Sequence, residues 1–342
     1  MAHGPRLRIA TYNVEWFDAL FDDDGQLSPT AAWSARRDVT RAEQIAALTT
    51  VFRALDADAV LVVEAPDLSR RRNGAQALAN FAQAAGLRAR EVRFGFANDT
   101  QQEIMLLFDP EVLRATHDPS DLGAPRFDQE FRIDLDIDAV EDVVRFSKPP
   151  LELRLDTPLG PMRMIGAHVK SKAPHGARDD DHAMKIAIAN RRKQLAQCIW
   201  LRRRVAAHLD AGTPLILLGD LNDGPGLDIY EDLFGRSGVE IVMGWEGPAD
   251  RRLYDPHAAK ALERRIVAAP TTARFFIASE GRYLSALLDY IMVSPDLRGT
   301  ARHWRVWHPF EDPACWQDDT LRHALLSASD HFPVTLDLAQ AG

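Results

Sequence analysis

The sequence predicts an α/β protein in which two stacked mixed β-sheets are flanked by helices. Short runs of branched and aromatic residues, typical of strands, alternate with segments whose apolar residues recur at helical spacing. The alternation is irregular, and several strand-like runs follow one another directly, which favours stacked mixed sheets. No internal repeat, Ser/Gly linker or sharp shift of composition divides the chain, so we expect residues 1–342 to form a single domain.

The first elements follow from local patterns. Leu7–Val14 is rich in branched and aromatic residues and is typical of a strand. Apolar residues at helical spacing predict a helix over Arg36–Leu55 with one buried stripe. The apolar run Ala59–Val63 is typical of an interior strand, which ends at Glu64. A second helix is expected after the basic loop Ser69–Asn73.

Runs of the same kind predict the later strands, at Glu103–Phe108, Leu151–Leu155, Met162–His168, Pro214–Gly219, Leu287–Val293 and Phe332–Leu338. A long helix is expected from the polar loop after Lys170 to about Leu209. The basic runs Arg191–Lys193 and Arg202–Arg204 lie off its apolar stripe, so we expect them on a solvated face.

Composition and charge narrow the functional classes. With 46% hydrophobic and 27% charged residues the chain is typical of globular proteins, which excludes a disordered or collagenous chain. The formal net charge of −9 gives no global positive field for long duplex DNA or anionic membranes. Two cysteines, Cys198 and Cys315, form neither a disulfide framework nor a four-thiolate zinc site. Without a visible targeting signal or a run of ~18 apolar residues, we expect a cytoplasmic protein with no membrane anchor.

Polar residues suited to chemistry stand at or beside the predicted strand ends: Asn13, Glu15, Glu64, His168, Asp220, Asn222, Asp289, Asp330 and His331. Strand ends of a rigid sheet let loops that are distant in sequence converge on one pocket. Carboxylates with an amide oxygen suit Mg²⁺ or Mn²⁺ better than Zn²⁺. Histidines beside such a site are better suited to moving protons or binding a phosphate. Together these residue types predict metal-assisted, in-line attack of water on a phosphoester.

Six segments, TYNVE, LVVE, HVKSK, GDLND, LDYIMVS and SDHFPV, resemble in this order the motifs of the endonuclease/exonuclease/phosphatase superfamily of metal-dependent phosphoesterases. The likeness runs from Leu7 to about Leu338. It implies a four-layer α/β/β/α sandwich. It also implies Glu64 as the principal Mg²⁺ ligand, with Asn13 and Glu15 supporting the metal and Asp330 as a further metal or water partner.

The same resemblance implies roles for the remaining polar residues. Asp220 positions or deprotonates the attacking water, and Asn222 orients a phosphate oxygen. His331 resembles the family's essential histidine, its ring held by Asp289. His168 resembles the donor to the phosphate in the nuclease-like and lipase-like branches. Arg145, in VRFSKPPLEL, loosely matches a phosphate-contacting arginine.

We therefore expect a divalent-metal-dependent phosphodiester hydrolase acting on nucleic acid or a nucleotide-like diester. Two alternatives stay open: a phosphomonoesterase or lipid-head-group phosphodiesterase on the same site, and a catalytically silent interaction module. Asp220 and Asn222 alone are equally consistent with a turn. The number of metals, endo- or exo-action and oligomeric state also stay open.

Three regions outside these motifs carry weaker hypotheses. The loop Ser69–Asn73 is a candidate phosphate-reading patch, because it follows the strand that ends at Glu64. His175 and His182 could hold a second metal, although a solvated loop is the commoner case. Trp304, Trp307 or Trp316, in the aromatic segment 303–316, could rim the pocket and stack on a base, or pack in the core.

Overall fold

Two large mixed sheets stack face to face in the computed structural model, which describes residues 5–69, 72–98, 100, 102–134, 142–173, 176, 178–226, 235–263, 270–277 and 281–340. The six-stranded first sheet has the order β14-β15-β1-β2-β4-β3, and the five-stranded second sheet the order β13-β10-β9-β8-β5. The strands of the first sheet are β1 (Arg6–Asn13), β2 (Ala59–Ala65), β3 (Glu91–Phe94), β4 (Glu103–Phe108), β14 (Ala301–Val306) and β15 (Val334–Ala339). Those of the second are β5 (Arg114–His117), β8 (Leu151–Thr157), β9 (Gly160–His168), β10 (Leu215–Asp220) and β13 (Asp289–Val293).

Two hairpins and several helices complete the architecture. The hairpins pair β6 (Phe131–Ile133) with β7 (Asp142–Val144), and β11 (Ala273–Ile277) with β12 (Arg282–Ala286). The α-helices are α1 (Arg41–Leu55), α2 (Gly74–Ala84), α3 (Asp180–Asp210), α4 (Gly238–Met243), α5 (Pro256–Leu262), α6 (Pro313–Gln317) and α7 (Asp319–Ala328). Short 3₁₀ helices occupy Phe17–Leu20, Ala249–Arg251 and Pro295–Leu297. Within the described part of the chain, none of the helices is both long and apolar enough to cross a membrane.

Three apolar cores separate these layers. The central core joins the inner faces of both sheets, for example Leu61 of β2 and Leu218 of β10. The outer face of the first sheet packs on α1, α2 and α7, and that of the second on α3, α4 and α5. Interior strands such as β2 bury both faces, which explains their unbroken apolar sequence. The predicted α/β class and four-layer order are thus confirmed.

Strand pairing brings the polar strand ends to one edge of the molecule. β1 runs parallel to β2, with Asn13 opposite Val63. In the second sheet β9 runs parallel to β10, with His168 opposite Asp220, and Asp289 of antiparallel β13 lies on the other side of Asp220. Because parallel neighbours end at the same edge, the register places the polar residues together.

Some local predictions were wrong. The first helix begins at Arg41 rather than Arg36, because Thr40 and Glu43 form a capping box. Arg191 and Arg204 do not lie on a solvated face: both are fully buried, in ion pairs with Asp223 and Glu152. A charge on a helix can face the interior when it meets a partner from another element, which helical spacing alone does not reveal.

Candidate active site

The two sheets are linked at their shared edge by a hydrogen bond between Asn13 and Asp220. Asn13 ends β1 of the first sheet, and its Nδ2 donates to Asp220 Oδ2 of the second at 2.9 Å. Both side chains are almost fully buried. Burial is the main cause that raises the pKa of Asp220 to about 7; the positive His331 opposes the shift and Asp289 adds to it. Asp220 is therefore a carboxyl group that titrates near neutral pH.

His331 and Asp289 form a second link between the sheets. His331 lies just before β15, and its Nδ1 is 2.7 Å from Asp289 Oδ2 at the start of β13. Burial lowers the pKa of His331, but the charge and hydrogen bond of Asp289, with Asp220 and Asp330, outweigh it and hold this pKa well above its ordinary value. The ring is thus an imidazolium whose Nδ1–H is held by Asp289.

Glu64 reaches the same edge through an irregular backbone. Strand alternation would place it on the face of Val60 and Val62, which is covered by helices. Instead the pairing of β2 with β4 is interrupted between Val63 and Ala65, and Glu64 has a left-handed φ of 59°. A bulge of this kind re-aims a side chain, and left-handed non-glycine residues are frequent at functional sites. Gln102 Nε2 donates to Glu64 Oε2 at 2.7 Å.

Glu15 and Asp330 bring further negative charge to the site. Glu15 forms an ion pair with Arg36. Burial, with the charges of Asp330 and Glu64, raises the pKa of Glu15 to about 7 although Arg36 opposes the shift. Ser329 joins both segments: its Oγ donates to the Asn13 carbonyl at 2.8 Å and accepts from the backbone N–H groups of Glu15, at 3.1 Å, and His331, at 3.2 Å.

Lys148 is a site residue that sequence reasoning missed. Its Nζ lies 3.1 Å from His168 Nδ1, and His168 Nε2 lies 3.6 Å from Asp220 Oδ2. Burial and the charge of Lys148 hold the pKa of His168 well below its ordinary value, so His168 is neutral and accepts from the ammonium group. Arg145, the loose match to a phosphate-contacting arginine, is exposed and pairs with Glu130. The quoted segment VRFSKPPLEL contains both cations, and nothing local distinguishes them.

Asn222 holds the Asp220 carboxylate in place through hydrogen bonds. Its backbone N–H donates to Asp220 Oδ1 at 2.7 Å, and its Nδ2 lies 3.0 Å from the Val169 carbonyl and 3.2 Å from Asp220 Oδ2. Asn222 also has a left-handed φ of 49°. Both amide hydrogens therefore have protein acceptors, so a contact from Asn222 to a phosphate would require one of them to be exchanged.

The donor set fits a hard divalent cation. Asn13 Oδ1 is buried and accepts no hydrogen bond from the residues that the structure describes. Burial, with the charge of Asp330, also raises the pKa of Glu64, although Lys148 and His331 oppose the shift. A divalent ion with oxygen ligands would give the Asn13 oxygen a partner and would favour the charged form of the buried Glu64 carboxylate. Asp220, Asp289 and His331 also present ligand atoms within 4.8 Å of one another, which defines a second arrangement able to hold an ion.

The weaker candidates fall elsewhere. His182 lies at the start of α3, where its Nδ1 accepts from the Arg178 backbone at 3.3 Å; His175 lies outside the described residues. In the loop Ser69–Asn73, Arg72 pairs with Asp18, and positions 70 and 71 are not described. Trp307 is buried and Trp304 packs on Tyr254, whereas Trp316 is exposed.

Known proteins share this architecture. The sequence model described as the Endonuclease/Exonuclease/phosphatase family matches residues 10–331. No curated protein matches the sequence. Similar solved structures include truncated TDP2 from Caenorhabditis elegans, with 12% identity, 98% of each chain covered and a TM-score of 0.51. An AP endonuclease from Archaeoglobus fulgidus has 11% identity over 98% of this chain and 100% of that one, with a TM-score of 0.50. TDP2 from D. rerio, complexed with a single-strand DNA product, has 11% identity over 98% of this chain and 99% of that one, also with a TM-score of 0.50.

These structural likenesses show the fold, while the sequence match extends across nearly the whole chain and includes every strand end that contributes to the site. The chain therefore belongs to the endonuclease/exonuclease/phosphatase family, whose enzymes hydrolyse phosphoester bonds with divalent metals.

Proposed function

We propose that this chain is a divalent-metal-dependent phosphodiester hydrolase that acts on nucleic acid or a nucleotide-like diester by in-line attack of water. The observation that supports this most directly is the pair of links between the sheets, Asn13 to Asp220 and Asp289 to His331. They place a carboxyl group that titrates near neutral pH beside a histidine whose pKa is held well above its ordinary value, with Glu64 at the same edge. A base and a cation in one site are what water attack on a phosphodiester needs.

Asp220 is the residue that orients and deprotonates water. Hydrogen bonds from Asn13 and Asn222 hold its carboxylate in place. A pKa of about 7 suits a general base near neutral pH, because the group is then partly deprotonated and still basic enough to accept a proton.

Positive groups around Asp220 stabilise the phosphoryl oxygens. The His331 imidazolium, with Nδ1–H bound to Asp289, has its Nε2–H to donate. Lys148 adds an ammonium group, and His168 lies between it and Asp220. Donors that are already oriented need little reorganisation when negative charge develops, which is why such groups have large effects on rate.

Glu64 and Asn13 would hold the divalent cation, with Glu15 and Asp330 beside them; the oxygen donors favour Mg²⁺, with Mn²⁺ as the second choice. When bound, the ion supplies positive charge that offsets charge building on the phosphate. Since Asp289 is already engaged with His331, we propose the trio Asp220, Asp289 and His331 as proton-handling groups rather than metal ligands.

Nucleic acid is the substrate class to test first. One structural relative is named an AP endonuclease, and another is complexed with a single-strand DNA product. The net charge of −9 favours short or single-stranded substrates over long duplexes.

We further propose that residues 1–342 form one domain, because the central core contains side chains from both sheets. The two free, buried thiols Cys198 and Cys315 are consistent with a cytoplasmic location.

The direct test is hydrolysis of bis-p-nitrophenyl phosphate with Mg²⁺ or Mn²⁺, repeated with EDTA. We expect metal-dependent turnover that His331→Ala and Glu64→Ala reduce at least about a hundredfold. His303→Ala is the matched control, since His303 is exposed on β14. Absence of metal-dependent hydrolysis by pure, folded protein would favour the silent interaction module.

Lys148 has a matched control in the same segment. Lys148→Gln removes the buried cation and should lower kcat/KM about tenfold to a hundredfold, because a preorganised charge is lost next to the phosphate. Arg145→Gln removes an exposed cation and should leave kcat/KM within about twofold. Equal effects of the two substitutions would remove Lys148 from the site.

A further inference from the structure

The hairpin β11–β12 lies directly beside the candidate active site and is paired with it through backbone contacts. Ala273 forms a β-bridge with His331, and the Arg274 N–H donates to the Asp330 carbonyl at 2.7 Å. The sequence did not predict either strand of this hairpin. None of its side chains belongs to the groups assigned above, so its role is unexplained by hydrolysis of the phosphate alone.

The two faces of the hairpin differ in character. Ala273, Phe275 and Ala286 turn to a small apolar cluster with Leu288. By strand alternation Arg274 and Phe276 lie on the opposite face, and the register places Tyr283 across from Phe276. Tyr283 is 48% exposed, so this second face is open to solvent.

Two arginines pack against three aromatic rings along the open face. The Arg37 guanidinium lies 3.6 Å from the centre of the Phe276 ring, which contacts Tyr283 edge-on with centroids 5.2 Å apart. Arg274 lies 3.9 Å from the centre of the Tyr283 ring and 5.6 Å from that of Phe310. Phe310 is 44% exposed. We call Arg37, Phe276, Tyr283, Arg274 and Phe310 the cation–aromatic face.

This face meets the site at both ends and carries an available charge. Arg37 follows Arg36, which pairs with Glu15, and Arg274 is held to Asp330. Arg274 is only partly buried and forms no ion pair with any residue in the described ranges. A cation that has no carboxylate partner beside exposed rings is suited to an anionic ligand that also carries flat groups.

We propose that the cation–aromatic face binds the single-stranded polynucleotide next to the scissile phosphodiester, with a neighbouring phosphate on Arg274 and unpaired bases on Tyr283 and Phe310. This inference rests on the proposed function and names its substrate class. Stacking on protein rings requires unpaired bases, which excludes an intact duplex at this surface. Local arginines provide the attraction that the overall negative charge does not.

Binding is tested without turnover, on the full chain in EDTA, by fluorescence anisotropy of labelled oligothymidylate and oligouridylate of about twelve nucleotides. Tyr283→Ala should weaken binding at least about tenfold, whereas Tyr283→Phe, which keeps the ring, should stay within about threefold. Arg274→Gln should reduce the slope of log Kd against log salt by about 0.7 to 1, the loss of one phosphate contact. The two oligonucleotides distinguish DNA from RNA as the source of the strand.

Arg298→Gln is the matched control. Arg298 lies 4.0 Å from the centre of the Tyr254 ring, and Tyr254 bridges Val293, at the end of β13 remote from Asp289. We expect its Kd to stay within about twofold of the wild type. The proposal is overturned if Arg274→Gln and Tyr283→Ala bind like this control. It is also overturned if they lose binding to phosphatidylserine vesicles but not to the oligonucleotides.

Turnover separates this inference from the function on which it rests. With metal present, the ratio of kcat/KM for the oligonucleotide to that for bis-p-nitrophenyl phosphate should fall about tenfold in Tyr283→Ala. An equal loss on both substrates would indicate general damage to the site and contradict the proposal. If the wild type hydrolyses neither substrate, the proposed hydrolase is wrong, while the binding measurements still decide whether this face holds a single strand.

Discussion

Asp289→Asn tests whether the link to His331 is catalytic. The substitution keeps the size of a side chain that is 2% exposed but removes the negative charge 2.7 Å from His331 Nδ1. A hydrogen bond to a charged group contributes about 1.5 to 3 kcal/mol and a neutral one about 0.5 to 1.5 kcal/mol, so loss of the charge alone costs about 1 to 1.5 kcal/mol, which corresponds to roughly a 5- to 13-fold decrease in rate. Loss of ring orientation adds to it, so we expect kcat to fall about 10² to 10⁴-fold.

The assay is steady-state hydrolysis of bis-p-nitrophenyl phosphate at saturating metal, with circular dichroism to verify folding. Asp337→Asn is the control, because this carboxylate lies on β15, 4.0 Å from the exposed His303. The double variant Asp289→Asn/His331→Ala should lose no more activity than His331→Ala, since residues that act as one unit are not additive. Activity of Asp289→Asn within about threefold of the wild type would refute the pairing. Additive losses would instead indicate that Asp289 acts on another group, such as a metal.

Three further predictions concern stability and metal binding. Glu152→Ala leaves the fully buried Arg204 without its carboxylate partner and should lower the free energy of unfolding by about 3 to 5 kcal/mol in urea titrations. Asp128→Ala removes a more exposed ion pair and should cost less than about 1 kcal/mol. Similar losses in the two variants would contradict the burial argument. Mg²⁺ should raise the Tm of the wild type but not that of Glu64→Gln, because an ion that binds only the native state stabilises that state. An equal rise of Tm in both proteins would exclude Glu64 as a metal ligand. Burial, with two nearby arginines, lowers the pKa of His208 from 6.5 to about 4, so the unfolded chain binds the proton first as the pH falls. The free energy of unfolding should therefore fall by up to about 1.4 kcal/mol per pH unit between pH 6.5 and 4. His208→Gln should flatten this dependence in thermal melts across that range, and an unchanged slope would contradict the prediction.

The sheets were predictable because their strands have a strong local pattern. Ala59–Val63 and Pro214–Gly219 are unbroken apolar runs, and the observed β2 and β10 differ from them by one or two residues at their ends. The hairpin β11–β12 was missed because one of its faces is solvent-exposed and mixes arginine with aromatic residues, which removes the clear apolar alternation. The start of α1 was misplaced because the prediction overlooked a local signal, the capping box formed by Thr40 and Glu43, which begins the helix at Arg41.

The site was predictable in its residue types rather than in its contacts. Acids, amides and histidines at strand ends indicated a metal-dependent phosphoesterase, because those positions converge at one edge of a sheet. The sequence did not predict which side chain contacts each of these groups. Whether Arg145 or Lys148 reaches His168, and whether Arg191 faces water or Asp223, depends on elements far apart in the chain.

Local sequence thus determines period, turn and strand-end chemistry, since these depend on neighbouring residues. The stacking of the two sheets decides which of these groups meet. It brings Asn13 to Asp220, 207 residues apart in the sequence, and His331 to Asp289, 42 residues apart. Burial then changes the chemistry of the groups, since removal from water raises the pKa of Asp220 while an adjacent anion keeps His331 charged. Dielectric environment and distance are properties of the packed molecule, so no segment read alone contains them.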